Sequence, residues 1–217
     1  IMIKEYNIAD GVKAFSTTRK GGVSTGNYGE FNINEHCGDE AANIAANRKQ
    51  LADELGVSSD HIIMPHQVHG WRGTLERIVH KTIQEMTFAF KTDPKKLKAV
   101  IGPGISLENF EVGDEVYEAF EQAAFPMDEI AAQYPNAALK ANAEERERMA
   151  AEGNVVQPLK WHIDLPKCNE LILQHIGVPQ ENIQNCGICT YAHSDEYFSA
   201  RKLGIESGRI YTGILIK

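Results

Sequence analysis

Gln67-Val68-His69-Gly70-Trp71-Arg72-Gly73-Thr74 is the stretch on which the reading of this chain turns. It sets an imidazole, an indole, a guanidinium and two glycines within eight residues. Runs rich in Ile and Val lead into it, and a strongly periodic helix leads away. Glycines beside His and Arg let a substrate and the backbone approach closely. Turns held on a rigid scaffold carry much of protein function. The plain alternative is a Gly-rich turn with a surface Arg and a core His, and spacing alone favours it.

Working outward, Ile62 to His69 reads as a strand interrupted by Pro65, which suggests an edge or a bulge. Side chains alternate along a strand, so Gln67 and His69 face one side and His66 and Val68 the other. His66 and His69 therefore do not share one metal. Downstream, Thr74 can cap a helix in which Leu75, Ile78, Val79, Thr82, Ile83, Met86 and Phe90 recur at three and four, a stripe that reads as core. Lys98 to Ile101 reads as a buried strand running into Gly102-Pro103-Gly104, a tight loop with no phosphate signature.

On the N-terminal side, Val12 to Thr18 reads as a strand. It ends in Arg19-Lys20-Gly21-Gly22-Val23-Ser24-Thr25-Gly26, a loop that could wrap an anion with Arg19 as charge partner. The loop lacks the spacing of a P-loop, and a plain hairpin loop is the simpler reading. Asn32 to Asp39 is a second polar loop containing His36 and Cys37. Asp39 can cap a helix over Glu40 to Leu55 that stops at Gly56. Further on, Asp114 to Ala124 reads as a helix with Val116, Tyr117 and Phe120 inward. Ala141 to Glu152 reads as a solvated charged helix. A helix capped by Asp164, with Pro166 in its first turn, runs to Ile176 and stops at Gly177. Ile183 to Thr190 reads as a strand carrying Cys186-Gly187-Ile188-Cys189. One C-x-x-C is half of a structural zinc site, so two strand thiols are the simpler reading. Tyr197 to Lys202 is an aromatic and basic cluster, and Gly208-Arg209 leads into a final strand, Ile210 to Ile216. Strands alternate with helices throughout, which places the chain in the α/β or α+β class with layered sheets.

The chain has 217 residues, a length that suits one domain, and 42% hydrophobic residues are enough to bury a core. Its formal net charge of −8 argues against a nucleic-acid partner, whose phosphates call for a basic face. No apolar run nears the roughly 20 residues that span a bilayer. Ile1 to Gly11 carries Lys4, Glu5 and Asp10 and has no signal-peptide core. Four cysteines, Cys37, Cys168, Cys186 and Cys189, are too few for a disulfide scaffold, so a reducing cytoplasm is expected.

Taken in order, these islands resemble the YfiH-like laccase-domain family, also called multicopper polyphenol oxidase-type or purine nucleoside phosphorylase-type proteins. The matching pieces run from Phe15-Ser16-Thr17-Thr18-Arg19-Lys20-Gly21-Gly22-Val23-Ser24 through Asn32, His36-Cys37-Gly38-Asp39 and Asn47-Arg48. They continue through Gln67-Val68-His69-Gly70, Trp71-Arg72-Gly73-Thr74, Ile101-Gly102-Pro103-Gly104-Ile105 and Val112-Gly113. Cys189-Thr190, Phe198-Ser199, Arg201 and Gly208-Arg209 close the set.

The resemblance implies an α+β fold, a layered α-β-β-α sandwich with mixed sheets, as one domain over residues 1–217. It implies a metal, usually zinc and less readily copper, held by three side chains. His69 matches the first. The other two, a Cys in an A-D-C motif and a His in H-A-G-W-R-G, have no counterpart, because Gly70 runs straight into Trp71. A segment of several dozen residues is therefore expected to be missing between Gly70 and Trp71. The implied activity is phosphorolysis of adenosine, inosine, guanosine or methylthioadenosine, with adenosine deamination beside it. A nucleoside and phosphate are then the partners, with no nucleic acid and no membrane. His69 and Arg72 are the candidate catalytic residues, and Arg19 the candidate for holding substrate. The resemblance leaves three alternatives: an amidase editing peptidoglycan precursors through a Cys nucleophile, a non-catalytic metal-binding protein, and a copper polyphenol oxidase.

Overall fold

The computed structural model describes residues 2–64, 70–135 and 159–216. In chain order the elements begin with β1 (Ile3–Ala9), β2 (Val12–Thr17), α1 (Ala41–Leu55), α2 (Arg72–Leu75) and α3 (Ile78–Phe90). Then come β3 (Ala99–Ile101), β4 (Glu111–Val112), α4 (Asp114–Gln122), α5 (Met127–Ile130) and β5 (Ala131–Pro135). The remainder are β6 (Leu159–Ile163), α6 (Leu165–His175), β7 (Ile183–Asn185), α7 (Ala200–Leu203) and β8 (Thr212–Ile216). The architecture is mixed α+β, with three small sheets among the described residues, ordered β1-β2-β8, β3-β7 and β4-β6-β5.

The first sheet is antiparallel throughout. Asp10-Gly11 joins β1 to β2, with Ala9 opposite Val12 and Gly11 at a φ of 72°. Asp-Gly is a preferred two-residue hairpin turn because its backbone twist matches the strands. Phe15 and Ile3 on one face of this sheet pack with Leu51 of α1, Phe31 and Ile33. The opposite face carries Ser16 and Thr212, which are hydrogen-bonded to each other at 2.7 Å. Gly102, just past β3, lies so close to both hydroxyls that it has no room for a Cβ. The first and second sheets therefore meet at this point.

The second sheet pairs β3 with β7 in parallel. Ile83 of α3 and Leu173 of α6 cover it, with Val178 and Ile183. The third sheet forms a separate cluster with Phe120 of α4 and Cys168 and Ile172 of α6, against which Trp71 and Leu75 pack.

Where helix ends are written in local chemistry they fall as expected. Gly56 closes α1 in the left-handed conformation at a φ of 71°. The Asp164 carboxylate accepts from the Lys167 N–H to start α6, with a proline in the first turn. Other expectations need correction. Asp39 does not cap α1, because its carboxylate accepts from Ser24 Oγ and Asn32 Nδ2 instead. Thr74 does not cap the long helix. The chain turns at Arg77 (φ 53°), so α3 starts at Ile78, and Thr74 Oγ1 accepts from Asn169.

The apolar stripe of α3 buries only Ile83, while Ile78 is 54% and Phe90 78% exposed. The helix lies over a sheet of two strands, too narrow to cover it. The strand expected over Ile183 to Thr190 stops at Asn185, and Gly187 (φ 65°) turns the chain before an isolated bridge between Cys189 and Gly104. Ile62 to Met64 is not strand, and the rest of that expected strand lies outside the described residues, as does the expected helix Ala141 to Glu152. Among the described residues no helix is long and apolar enough to cross a membrane.

Candidate functional site

The loop after β2 is built on a buried amide. Asn47 stands on the inner face of α1 between Ile44 and Leu51, and it is fully buried. Its Nδ2 donates to Ser24 Oγ (2.9 Å), Glu30 O (3.2 Å) and Asn32 O (2.8 Å), and its Oδ1 accepts from the Val23 N–H at 2.9 Å. Gly22 sits against Glu30 O, Asn47 Oδ1 and the Phe31 backbone with no space for a Cβ. Asn32 extends the network. Its Nδ2 donates to Asp39 Oδ2, and its Oδ1 accepts from the Arg209 N–H. The Arg209 guanidinium is buried and donates to the carbonyls of Ile205, Ser207 and Gly208. Burial pulls its pKa below the usual arginine value.

The sequence motifs Arg19 to Ser24, Asn32, Asp39, Asn47 and Gly208-Arg209 thus converge on one polar core. Sequence reading named these residues without giving Asn47 a role. The available signal was an amide set within an apolar helical stripe at i+3 from Ile44 and i−4 from Leu51.

Arg19 is held by this loop. Its Nε donates to Gly29 O at 2.9 Å and its Nη1 to Ser194 O at 2.6 Å, and its guanidinium lies 5.1 Å from the Phe198 ring centre. These bonds use two of the five N–H donors that a guanidinium offers. Arg72 starts α2, is exposed, and lies 5.8 Å from the ring centre of Trp71. Trp71 in turn packs toward Phe120 at 6.2 Å. The two arginines therefore belong to separate sets of contacts, one on the first sheet and one on the third-sheet cluster. His69 lies outside the described residues. Among the described residues no three His, Cys, Asp or Glu side chains come together to hold a metal. A zinc centre takes three or four protein ligands, a set that the described residues do not by themselves bring together.

A second feature was not anticipated. A cavity of about 190 Å³ opens between Gly102–Glu108, Asp164, Pro166 and Asn185–Cys189. Cys189 lies at its wall, and its Sγ faces the Ser106 N–H at 3.4 Å and Asn109 Nδ2 at 3.5 Å. Burial pushes this thiol up, but hydrogen bonds from Ser106, Ala192 and Tyr191 bring it below the ordinary cysteine value. Cys168 is the opposite case: burial, with the Asp164 carboxylate, pushes it up to about 12. In a pH series of alkylation read by peptide mass spectrometry, Cys189 should reach its half-maximal rate at a lower pH than Cys168. The reverse order would show that the donors around Cys189 do not stabilise its thiolate.

The family model described as multi-copper polyphenol oxidoreductase laccase matches residues 13–70 and 70–217, so the match divides at Gly70. A protein named purine nucleoside phosphorylase from Bacteroides thetaiotaomicron is 31% identical over 268 aligned positions, covering 94% of this chain and 92% of that protein. A protein named adenosine deaminase RL5, from an unknown prokaryotic organism, is 30% identical over 271 positions, covering 96% and 95%. Both alignments exceed the 217 residues of this chain, so each relative carries several dozen residues that the chain lacks. Among solved structures, the Bacillus licheniformis hypothetical protein YfiH superposes with a TM-score of 0.79 at 18% identity, covering 95% of this chain and 93% of that one.

Proposed function

The chain belongs to the multi-copper polyphenol oxidoreductase laccase family, and from that premise we propose that its fold serves the phosphorolysis of purine nucleosides. The observation that carries this reading is the similarity, over more than nine-tenths of both chains, to a relative named purine nucleoside phosphorylase. Phosphorolysis joins a phosphate oxygen to C1′ of the ribose. The glycosidic bond breaks, its electron pair leaves with the base nitrogen, and the products are free base and ribose 1-phosphate. The incoming phosphate calls for cationic, planar donors. Arg19, already oriented by Gly29 and Ser194, and the exposed Arg72 are the residues proposed to hold it. Adenosine deamination is the second reading, favoured by the relative named adenosine deaminase. The four cysteines are free thiols, which suits the cytoplasm proposed as its compartment.

Zinc enters this proposal through His69 alone. Its two companions in the family pattern have no matching position here. We further propose that the full catalytic form carries the several dozen residues by which the relatives exceed this chain, and that they belong where the family match divides, at Gly70. Two proteins are compared, the 217-residue chain and the chain with the Bacteroides segment inserted there. Inosine should yield hypoxanthine and ribose 1-phosphate only when phosphate is supplied, and the 217-residue chain should be slower by about 100-fold or more, the scale of losing one positioned acid–base group. Base release that ignores phosphate sinks the phosphorylase reading. Inosine formed from adenosine without base release moves the assignment to deamination.

A further inference from the structure

Two imidazoles meet where the helices covering the second sheet lie side by side. His80 stands in the first turn of α3 and His175 in the last turn of α6, and their ring centres are 6.5 Å apart with the planes at 64°. Packing fixes the backbone on both sides of the pair. Ile83, one turn after His80, and Leu173, two residues before His175, are buried in one cluster, and Val79 packs against it. The rings themselves stay near water, with His80 half-buried and His175 exposed. Among the described residues neither imidazole makes a hydrogen bond or an ion pair, which leaves the lone pair of each neutral ring unused. A histidine in a last turn suits the negative end of a helix. That accounts for His175 and leaves His80, in a first turn, without a role.

The spacing of the rings has a chemical meaning. A bond of about 2.0–2.1 Å from a metal to an imidazole nitrogen sets the ion about 3.2 Å from the ring centre. Two rings on opposite sides of one ion are then about 6.4 Å apart, which is the separation found here. The χ2 torsion of histidine is broad, so aiming a nitrogen of each ring at the midpoint needs no movement of either helix. Opposed nitrogens belong to tetragonal coordination, the geometry of Ni(II) and Cu(II), and imidazole suits both ions. A closed structural zinc site would need two more protein ligands, and no three metal-binding side chains meet among the described residues.

We propose that His80 and His175 form a surface site for a divalent transition-metal ion of tetragonal preference, Ni(II) or Cu(II), with water in the remaining positions, and that the ion staples α3 to α6. The staple falls where packing is thin. α3 buries only Ile83, and Ile78, two residues before His80, is 54% exposed. The two ligands lie far apart in sequence, so the ion also closes a long loop. Neither residue takes part in the family's zinc pattern, whose one matched ligand is His69, so this site stands whether or not the chain acts on nucleosides.

Ni(II) chloride, added to the untagged protein at neutral pH, is the probe, because the free thiols would reduce Cu(II). Calorimetry reads the affinity of the parent, of His80→Gln, of His175→Gln and of the double variant. Both side chains reach water, so the substitutions leave the fold intact, as melting without metal checks. Each single variant should bind the ion about tenfold or more weakly, and the double variant should be no weaker than either, since the two ligands act as one unit. At about a hundredfold excess over Kd, Ni(II) should raise the melting temperature of the parent by roughly 5 °C or more and that of the variants by less than about 2 °C. Equal affinity in the parent and the double variant places the ion elsewhere and overturns the proposal. So does a loss confined to one single variant, which describes adventitious binding to one histidine. No binding up to about 1 mM Ni(II), an affinity no better than about −4 kcal/mol, reduces the pair to a surface ring contact and overturns it as well. Binding through both histidines without the thermal shift overturns the staple.

Discussion

Asn47→Ala should destabilise the protein by about 3–5 kcal/mol, since each buried group left without its partner costs about 1–3 kcal/mol. The truncation strands the Asn32 carbonyl and the Val23 N–H, and takes one partner each from Ser24 Oγ and from the Glu30 carbonyl, which keeps the Ser24 N–H. No water reaches the position easily, because Asn47 and Asn32 are both fully buried. Urea denaturation of the two proteins measures the difference. Asn47→Asp is the informative companion. It keeps an acceptor for Val23 but turns carboxylate oxygens toward two carbonyls, so it should be no milder than alanine. A loss under about 1 kcal/mol for either variant, the scale of one ordinary hydrogen bond, would mean that the Arg19–Ser24 loop does not hang on this amide. Because that loop also anchors Arg19, the same variants should weaken any phosphate dependence of turnover.

Phe120→Ala should cost about 3–5 kcal/mol, the range for emptying a buried aromatic site. In a chain of this size that is a melting-temperature drop of roughly 10 °C. Phe120 has no exposed surface, and its ring lies 5.0 Å from that of Phe125 and 6.2 Å from that of Trp71. The hole would open directly beside Trp71, and with it the start of α2 that carries Arg72. Trp161 is the only other tryptophan, and it stacks on Tyr117 at 4.0 Å. In a Trp161→Phe background the emission of Trp71 should shift to longer wavelength when Phe120 is removed. Unchanged emission would detach Trp71 from this cluster.

Elements specified by local chemistry could be read from the sequence. Gly56 ends α1 and Asp164 starts α6 because a left-handed residue or a carboxylate acceptor acts within a few residues of itself. β1 does not stand out in the sequence although Asp10-Gly11 announces its hairpin, since Lys4, Glu5 and Asn7 break the apolar alternation of an edge strand. The period of the α3 stripe reads as core, and the period is real. What the period cannot report is whether a sheet wide enough to receive the stripe exists. The candidate site divides in the same way. Arg19, Asn47 and Arg209 were quotable as motifs, but their meeting depends on partners far away in sequence, such as Ser194 for Arg19 and Asn32 for Arg209. Cys189 lies in a pair that resembled half a zinc site, and its donors, Ser106 and Asn109, come from another loop altogether.

The first sheet also sets a timetable. Its β1–β2 hairpin closes over two residues and can form as soon as it leaves the ribosome. The strand that completes it is far downstream: Ser16 waits for Thr212, 196 residues later. At synthesis rates of about 5–20 residues per second, that interval is roughly 10–40 s. During it the outer edge of β2 is a bare row of amides and carbonyls, the kind of edge that recruits stray strands. The loop anchoring Arg19 shares the delay, since its Ser194 contact is made 175 residues downstream. Closure of this sheet is therefore a late step, and a nascent chain depends until then on whatever shields β2.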